Sequence, residues 1–329
     1  MNSHMPPAFA MRPSPMFRCH APCQALRHTL CALLLAWASV PAGAASEIRL
    51  LDDADHTVQL AEPAERIVSL APHLTENLFA IGAGAQVVGA VSFSDYPQAA
   101  QKVPRVGGYS RIDLERVLAL APDLVVAWQS GNDAEQLARL RQLGIPVYTS
   151  ESRSFEAIAE TLLHLGALSG QDQHAATVVA KLREGVAELR RRYRDATPVR
   201  VFYQVWEEPL MTVSDAHLIA QAIALCGGQN IFAHLDTLIP RIDRESVLAA
   251  DPEVIVAGGM GEDRRDWLEA WKQWPELRAV REGQLVFIPP SLIQRHTPRV
   301  LEGTRMLCDA LATARAKQSA SALDAAQRP

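Results

Sequence analysis

The chain has 329 residues, 48% of them hydrophobic and 21% charged, a composition that suits a globular protein long enough for two domains and excludes a disordered or fibrous one. Its formal net charge is −5, and loss of an amino-terminal leader that carries Arg12, Arg18 and Arg27 but no acidic residue takes it to −8. That balance excludes nucleic acid as a partner.

Taken in chain order, the first element is the leader. Arg27 and His28 precede the apolar run "LCALLLAWASV", and Ala42-Gly43-Ala44 follows it as an A-x-A cleavage pattern, so residues 1–44 are predicted to be a secretory signal peptide, removed on export. The run is too short for the roughly 20 residues that span a bilayer. The stretch before Arg27 is long for a signal, so translation could equally begin at Met11 or Met16.

Beyond the leader, "SEIRLLDDADHTVQL" predicts a strand region, "RIVSLAP" a strand, "HLTENLFAIGAG" a helix closed by glycine and "AQVVGAVS" another strand. A helix from about Asp113, the strand "DLVVAW", the helix "NDAEQLARLRQLG" and the strand "IPVYTS" complete a first α/β lobe over residues 45–168. Residues 169–197 contain "DQHAATVVAKLREGVAELRRRYRDA", apolar at helical spacing and free of proline, which predicts one long interlobe helix. Strand and helix alternate again over residues 198–316, in "VRVFYQV", "HLIAQAIALCGG", "EVIVAGG" and "QLVFIPP". Residues 317–329, "KQSASALDAAQRP", are small, polar and aperiodic, and are predicted to form a flexible tail. The fold class expected is α/β: two Rossmann-like lobes with mostly parallel sheets, joined by one long α-helix.

An internal repeat supports two lobes. Residues 112–127 are "IDLERVLALAPDLVVA" and residues 242–257 are "IDRESVLAADPEVIVA". In each copy an Asp precedes the helix as a plausible N-cap, and Glu115 or Glu245 falls in its first turn. The helix dipole favours acids there, and common ancestry of the lobes would also account for the match.

Catalytic patterns fail. "GAGAQV" from Gly82 has Val87 at the third glycine position of a dinucleotide fingerprint and follows a helix, so it suits a helix C-cap and turn. The chain has no G-x-S-x-G elbow, P-loop, H-E-x-x-H or C-x-x-C, and its histidines lack metal-ligand spacing. Cys19, Cys23 and Cys31 leave with the leader. Cys226 and Cys308 remain, to pair as one disulfide in an oxidising compartment or to persist as two buried thiols. Aromatic residues are only 6% of the chain, yet Phe93, Tyr96, Tyr109, Trp128 and Trp206 all fall at strand ends or in the loops that follow. Ligands of open α/β sheets bind there, so these five predict an aromatic mouth between the lobes. Trp267, Trp271 and Trp274 follow helical spacing and are assigned to packing.

The motifs "SDYP", "DLERVLALAPDLVVAW" with a following "GN", and "CGGQNIF" resemble the periplasmic cobalamin-binding proteins that feed ATP-driven importers, within the class whose two lobes are joined by one long helix. The resemblance runs from about Arg66 to Leu311. It implies a corrinoid lying between the lobes against Phe93, Tyr109 and Trp128, with Arg295 of "IQRHTPR" hydrogen-bonded to its rim. It further implies that Glu115 and Glu245 dock on the two subunits of an inner-membrane ABC permease dimer. The sequence departs from the pattern at Val205 and Ile239, where the family usually has an aromatic, and at Ser291, where it has an aspartate. On this resemblance the chain is a monomeric binding protein and not an enzyme, with no cofactor and no metal, and cobalamin is its transported ligand. The competing readings are haem, with Tyr109 as an axial oxygen ligand, a siderophore, or an exported metal-dependent enzyme.

Overall fold

The computed structural model describes residues 47–258 and 265–326. The leader expected at residues 1–44 lies outside them, as do the last three residues of the tail.

A short antiparallel hairpin, β1 (Ile48–Leu51) with β2 (Thr57–Leu60), opens the described chain. Asp52 fixes it in place: its carboxylate accepts from the backbone N–H groups of Ala54, His56 and Thr149 at 2.7–3.0 Å. The first sheet contains β3 (Ile67–Ser69), β4 (Val87–Ala90), β7 (Leu124–Trp128) and β8 (Val147–Ser150), all parallel, in the order β4-β3-β7-β8. The second contains β9 (Val199–Gln204), β10 (Gly228–Asn230), β11 (Val254–Ala257) and β12 (Leu285–Phe287), also parallel, in the order β10-β9-β11-β12. Both sheets therefore place their first strand between their second and third. The repeat has a topological meaning: α2 (Leu114–Ala119) leads into the third strand of the first sheet, and α7 (Arg244–Ala250) into the third strand of the second.

The remaining helices are α1 (Pro72–Ala80), α3 (Ala134–Gln142), α4 (Phe155–Ser169), α5 (Asp172–Tyr193), α6 (Leu218–Leu225), three single turns α8 (Asp266–Glu269), α9 (Arg278–Arg281) and α10 (Pro290–Ile293), and α11 (Val300–Ala326). Helix α5 connects the two sheets in sequence, as its unbroken periodicity predicts. Ala175, Val179, Leu182, Val186, Leu189 and Tyr193 are buried along one face, while Arg190, Arg191 and Arg192 complement the carbonyl end of the dipole. Those six side chains join one continuous core that includes Ile67 and Val126 of the first sheet and Val201 and Val256 of the second.

Three elements differ from expectation. Most of the flexible tail expected at residues 317–329 is helical, because α11 continues to Ala326; once a helix is nucleated, alanine-rich sequence extends it at little cost even without an apolar stripe. The "DWLEAWKQW" stretch is a single α turn followed by a 3-10 turn at Ala270–Gln273. It still packs as assigned, with Trp271 buried and its Nε1–H donating to Gln204 Oε1 at 2.7 Å. The two-residue strands β5 (Gly107–Gly108) and β6 (Arg111–Ile112) form a tight hairpin too short to leave a sequence pattern. At "GAGAQV" there is a C-cap and turn, with Gly82 at φ 87° before a 3-10 turn.

Cys226, at the end of α6, and Cys308, within α11, are fully buried and joined as a disulfide with Cα atoms 4.7 Å apart.

Candidate ligand-binding site

Because the first strand of each sheet lies between the second and third, the chain switches direction across each sheet at one gap, β3 to β7 and β9 to β11. Ligands of open parallel sheets bind outside the carboxyl ends at such switch points. Trp128 ends β7 at the first gap. Its ring is half-buried, meets His73 of α1 edge-to-face at 5.3 Å, and lies 5.9 Å from Tyr109, which is 40% exposed on the β5–β6 turn. The indole Nε1–H of Trp128 is buried without a partner in the protein.

The loop after β4 presents two more of the expected aromatics. Phe93 is 72% exposed and held at φ 65°, a left-handed conformation that a phenylalanine rarely adopts. Tyr96 lies flat beneath the guanidinium of Arg299, 3.6 Å from its centroid. Trp206 follows β9 on the second sheet, partly exposed; its ring packs on Trp267 at 5.7 Å and its Nε1–H donates to the Glu208 carbonyl at 2.9 Å. The structure thus brings Tyr109 and Trp128 into contact, sets Phe93 and Tyr96 on the adjoining loop, and leaves Trp206 on the other lobe against a second tryptophan.

Arg295 joins the lobes. It pairs with Asp95 at 2.7 Å and with Glu76 at 3.6 Å, and donates to the Phe93 carbonyl at 3.4 Å. Arg299 makes a bidentate pair with the same buried Glu76, at 2.8 Å through both nitrogens. Beside this pair the Asn77 amide donates to the His296 carbonyl at 3.1 Å. Glu76 and Asn77 belong to α1, whereas Arg295, His296 and Arg299 precede α11.

Under Trp128 the imidazoles of three histidines form a chain: His73 to His296 at 5.5 Å, and His296 to His217 at 6.4 Å. Burial holds His73 well below the ordinary histidine range, aided by His296 and Arg295. Burial, then His296 and Arg153, brings His217 down to about 4, and burial brings His296 to about 4 against the opposing field of Glu151. All three are neutral near pH 7. His217 uses its Nδ1 to accept from the Ile219 N–H, capping α6. Among the described residues no group of three or more His, Cys, Asp or Glu side chains could hold a metal ion, and no helix is long and apolar enough to cross a membrane.

Glu115 and Glu245 are both exposed in the first turns of α2 and α7. The caps are equivalent. Asp113 accepts from Arg116 N at 3.1 Å, and Asp243 from Ser246 N at 2.7 Å.

Glu76, Arg299, Asn132 and the three histidines were not legible as site residues. Only Asn132 carried a signal, as the "GN" that follows Trp128.

A match to the periplasmic binding protein family spans residues 67–292. The chain is 36% identical over 246 residues to a vitamin B12-binding protein of Vibrio cholerae, covering 75% of this chain and 88% of the relative, and 35% identical over 253 residues to a vitamin B12-binding protein of Yersinia pestis, covering 77% and 88%. Among solved structures it resembles the periplasmic vitamin B12 binding protein BtuF of Vibrio cholerae, with a TM-score of 0.70 at 35% identity over 77% of this chain and 98% of that one. It also resembles the periplasmic heme-binding protein RhuT from Roseiflexus, with a TM-score of 0.69 at 25% identity over 77% and 99%.

Proposed function

The chain belongs to the periplasmic binding protein family, and from that premise we propose that it captures cobalamin or a related corrinoid between its lobes and delivers it to an ABC transporter permease. The observation that carries the reading is the 36% identity along 88% of a vitamin B12-binding protein. The site chemistry agrees with it. A corrin is broad, flat and partly apolar, and the exposed faces of Phe93, Tyr109 and Trp128 offer it rigid surfaces; each buried aromatic contact supplies on the order of 1–3 kcal/mol before ordering costs. Trp206 and Tyr96 extend the same mouth. Arg295, ordered by Asp95 and Glu76, holds a guanidinium at its edge to hydrogen-bond the ligand rim. The leader at residues 1–44 accounts for export to the periplasm.

Delivery follows from the two equivalent acids. Glu115 and Glu245 are exposed on pseudo-equivalent helices, one per lobe, and each meets a basic pocket on one subunit of a permease dimer, the binding protein itself being a monomer. Haem is the second reading, favoured by the exposed phenol of Tyr109 beside Trp128 and by the likeness to a heme-binding protein. Titration of the purified protein with cyanocobalamin, cobinamide and haem, followed by tryptophan quenching and visible absorption, tests both. Saturable corrinoid binding with weak haem binding is expected. Preference for haem, with a tyrosinate charge-transfer band, would replace the first reading by the second.

A further inference from the structure

Asn132 is almost fully buried, 7% exposed, four residues after Trp128. Its amide nitrogen donates to the Leu70 carbonyl at 2.8 Å and to the Tyr109 carbonyl at 2.7 Å, while its Oδ1 accepts from the Trp128 N–H at 2.7 Å. The backbone N–H of Asn132 closes the loop onto the Trp128 carbonyl at 2.9 Å. Leu70 follows β3 and Trp128 ends β7, so one side chain spans the switch point of the first sheet and also reaches the turn that carries Tyr109. Only a short amide has two donors and an acceptor on one planar group. Aspartate keeps the acceptor and loses both donors, leucine loses all three, and glutamine is one methylene too long for bonds of this length.

The residue before it completes the clamp. Gly131 packs against the six-membered ring of Trp128 so closely that a Cβ at this position would lie 1.9 Å from Cε3. The indole is thus backed by Gly131 and flanked by Tyr109 and His73.

We propose that Asn132 is the positioning residue of the cleft: without touching the ligand, it sets the mutual geometry of Trp128 and Tyr109 and so the affinity for a flat aromatic-stacking ligand. The inference rests on the reading that the ligand lies against these two rings. A constellation held by buried, fully satisfied hydrogen bonds is pre-organised, and loosening its support weakens binding without removing a contact.

The test compares Asn132→Asp with Asn230→Asp in the mature protein. Asn230 is equally buried, in the second lobe, and also bonds two backbone groups, the Val213 carbonyl and the Phe232 N–H. Both variants should melt cooperatively at lower temperature, since each leaves at least one buried carbonyl without its donor. Without ligand, the near-ultraviolet circular dichroism that distinguishes wild type from Trp128→Phe should vanish in Asn132→Asp and persist in Asn230→Asp. With cyanocobalamin, Asn132→Asp should lose affinity about ten-fold or more, Asn230→Asp should not, and Asn132→Asp should add little in a Trp128→Ala background. An unchanged Trp128 signal in Asn132→Asp, an additive double variant, or an equal affinity loss in Asn230→Asp would each overturn the inference. A wild-type protein that binds neither cyanocobalamin nor haem would instead remove the ligand reading, and the ligand-free spectrum would still decide the role of Asn132.

Discussion

Trp128 is a side chain that serves the proposed site and the core at once. It terminates β7, its backbone is tied by Asn132, and its half-buried ring lies against Tyr109 and His73, where the proposed ligand would stack. Trp128→Ala should therefore weaken corrinoid binding by about 10- to 100-fold and also lower the melting temperature, because the half-buried ring packs on the core, while the protein still unfolds in one cooperative step; isothermal titration beside a thermal scan checks both. The histidine chain predicts a pH dependence in stability. An imidazole free in the unfolded chain titrates near 6.5, whereas His217 and His296 titrate near 4 in the fold and His73 is also lowered. Between those values the unfolded state binds more protons, so stability rises with pH, by up to about 1.4 kcal/mol per pH unit for each group. It is complete above about 6.5 and is lost progressively towards 4. Urea midpoints measured from pH 7 to pH 4 should fall, with a shallower slope in His296→Gln.

At the scale of elements, legibility followed period and length. The strand "DLVVAW" announces itself as a short, continuous apolar run buried on both faces, the 22-residue α5 because its burial repeats along the chain, and both Asp N-caps of the repeated helices were legible because the capping bond is local. The β5–β6 hairpin was not, since two-residue strands have no period. Glu76, Arg299 and the histidines were hidden for a related reason: α1 and the segment before α11 are more than 200 residues apart, and no local pattern tells which acid will find which arginine. The disulfide between α6 and α11 is an element-scale device. It closes a loop of 82 residues, worth about 4–5 kcal/mol in the chain-entropy model. The Cys226→Ala/Cys308→Ala variant, which buries no new polar group, should melt several degrees lower, and the same shift should appear on reduction of the wild type. Equal melting temperatures would show that the crosslink only follows packing already secured by the helices. The paired helices α2 and α7 carry the docking prediction. Replacing Glu115 and Glu245 together by Ala should leave ligand affinity and melting temperature nearly unchanged, yet weaken permease binding and ligand-stimulated transport, and added salt should weaken the wild-type interaction. Normal transport by the double variant would remove these acids from the interface.

At the scale of the whole molecule the question is how far the lobes move on capture. Two structural features oppose a large rotation, and their magnitudes differ. The bidentate Glu76–Arg299 pair, with Arg295 and the Asn77–His296 bond, ties α1 to the segment before α11; breaking such a buried pair from one side costs about 3–5 kcal/mol. The apolar core is the larger restraint. It passes without interruption from Ile67 and Leu74 through Leu182 and Val186 of α5 to Val201 and Val256, and shearing it would expose several side chains at about 1.5–3 kcal/mol each. Large closures also require short hinge segments that absorb backbone rotation, whereas a continuous helix such as α5 resists bending through every one of its hydrogen bonds. Solution scattering of the wild type should therefore give the same radius of gyration, within error, with and without cyanocobalamin. Glu76→Gln, which leaves Arg299 without its charged partner, should lower the melting temperature clearly and still show no large ligand-induced contraction, because the core through α5 remains. A marked contraction in Glu76→Gln alone would assign the restraint to the ion pairs. A marked contraction in the wild type would mean that neither the ion pairs nor the core fixes the angle between the lobes, and that the cleft closes on its ligand by a hinge.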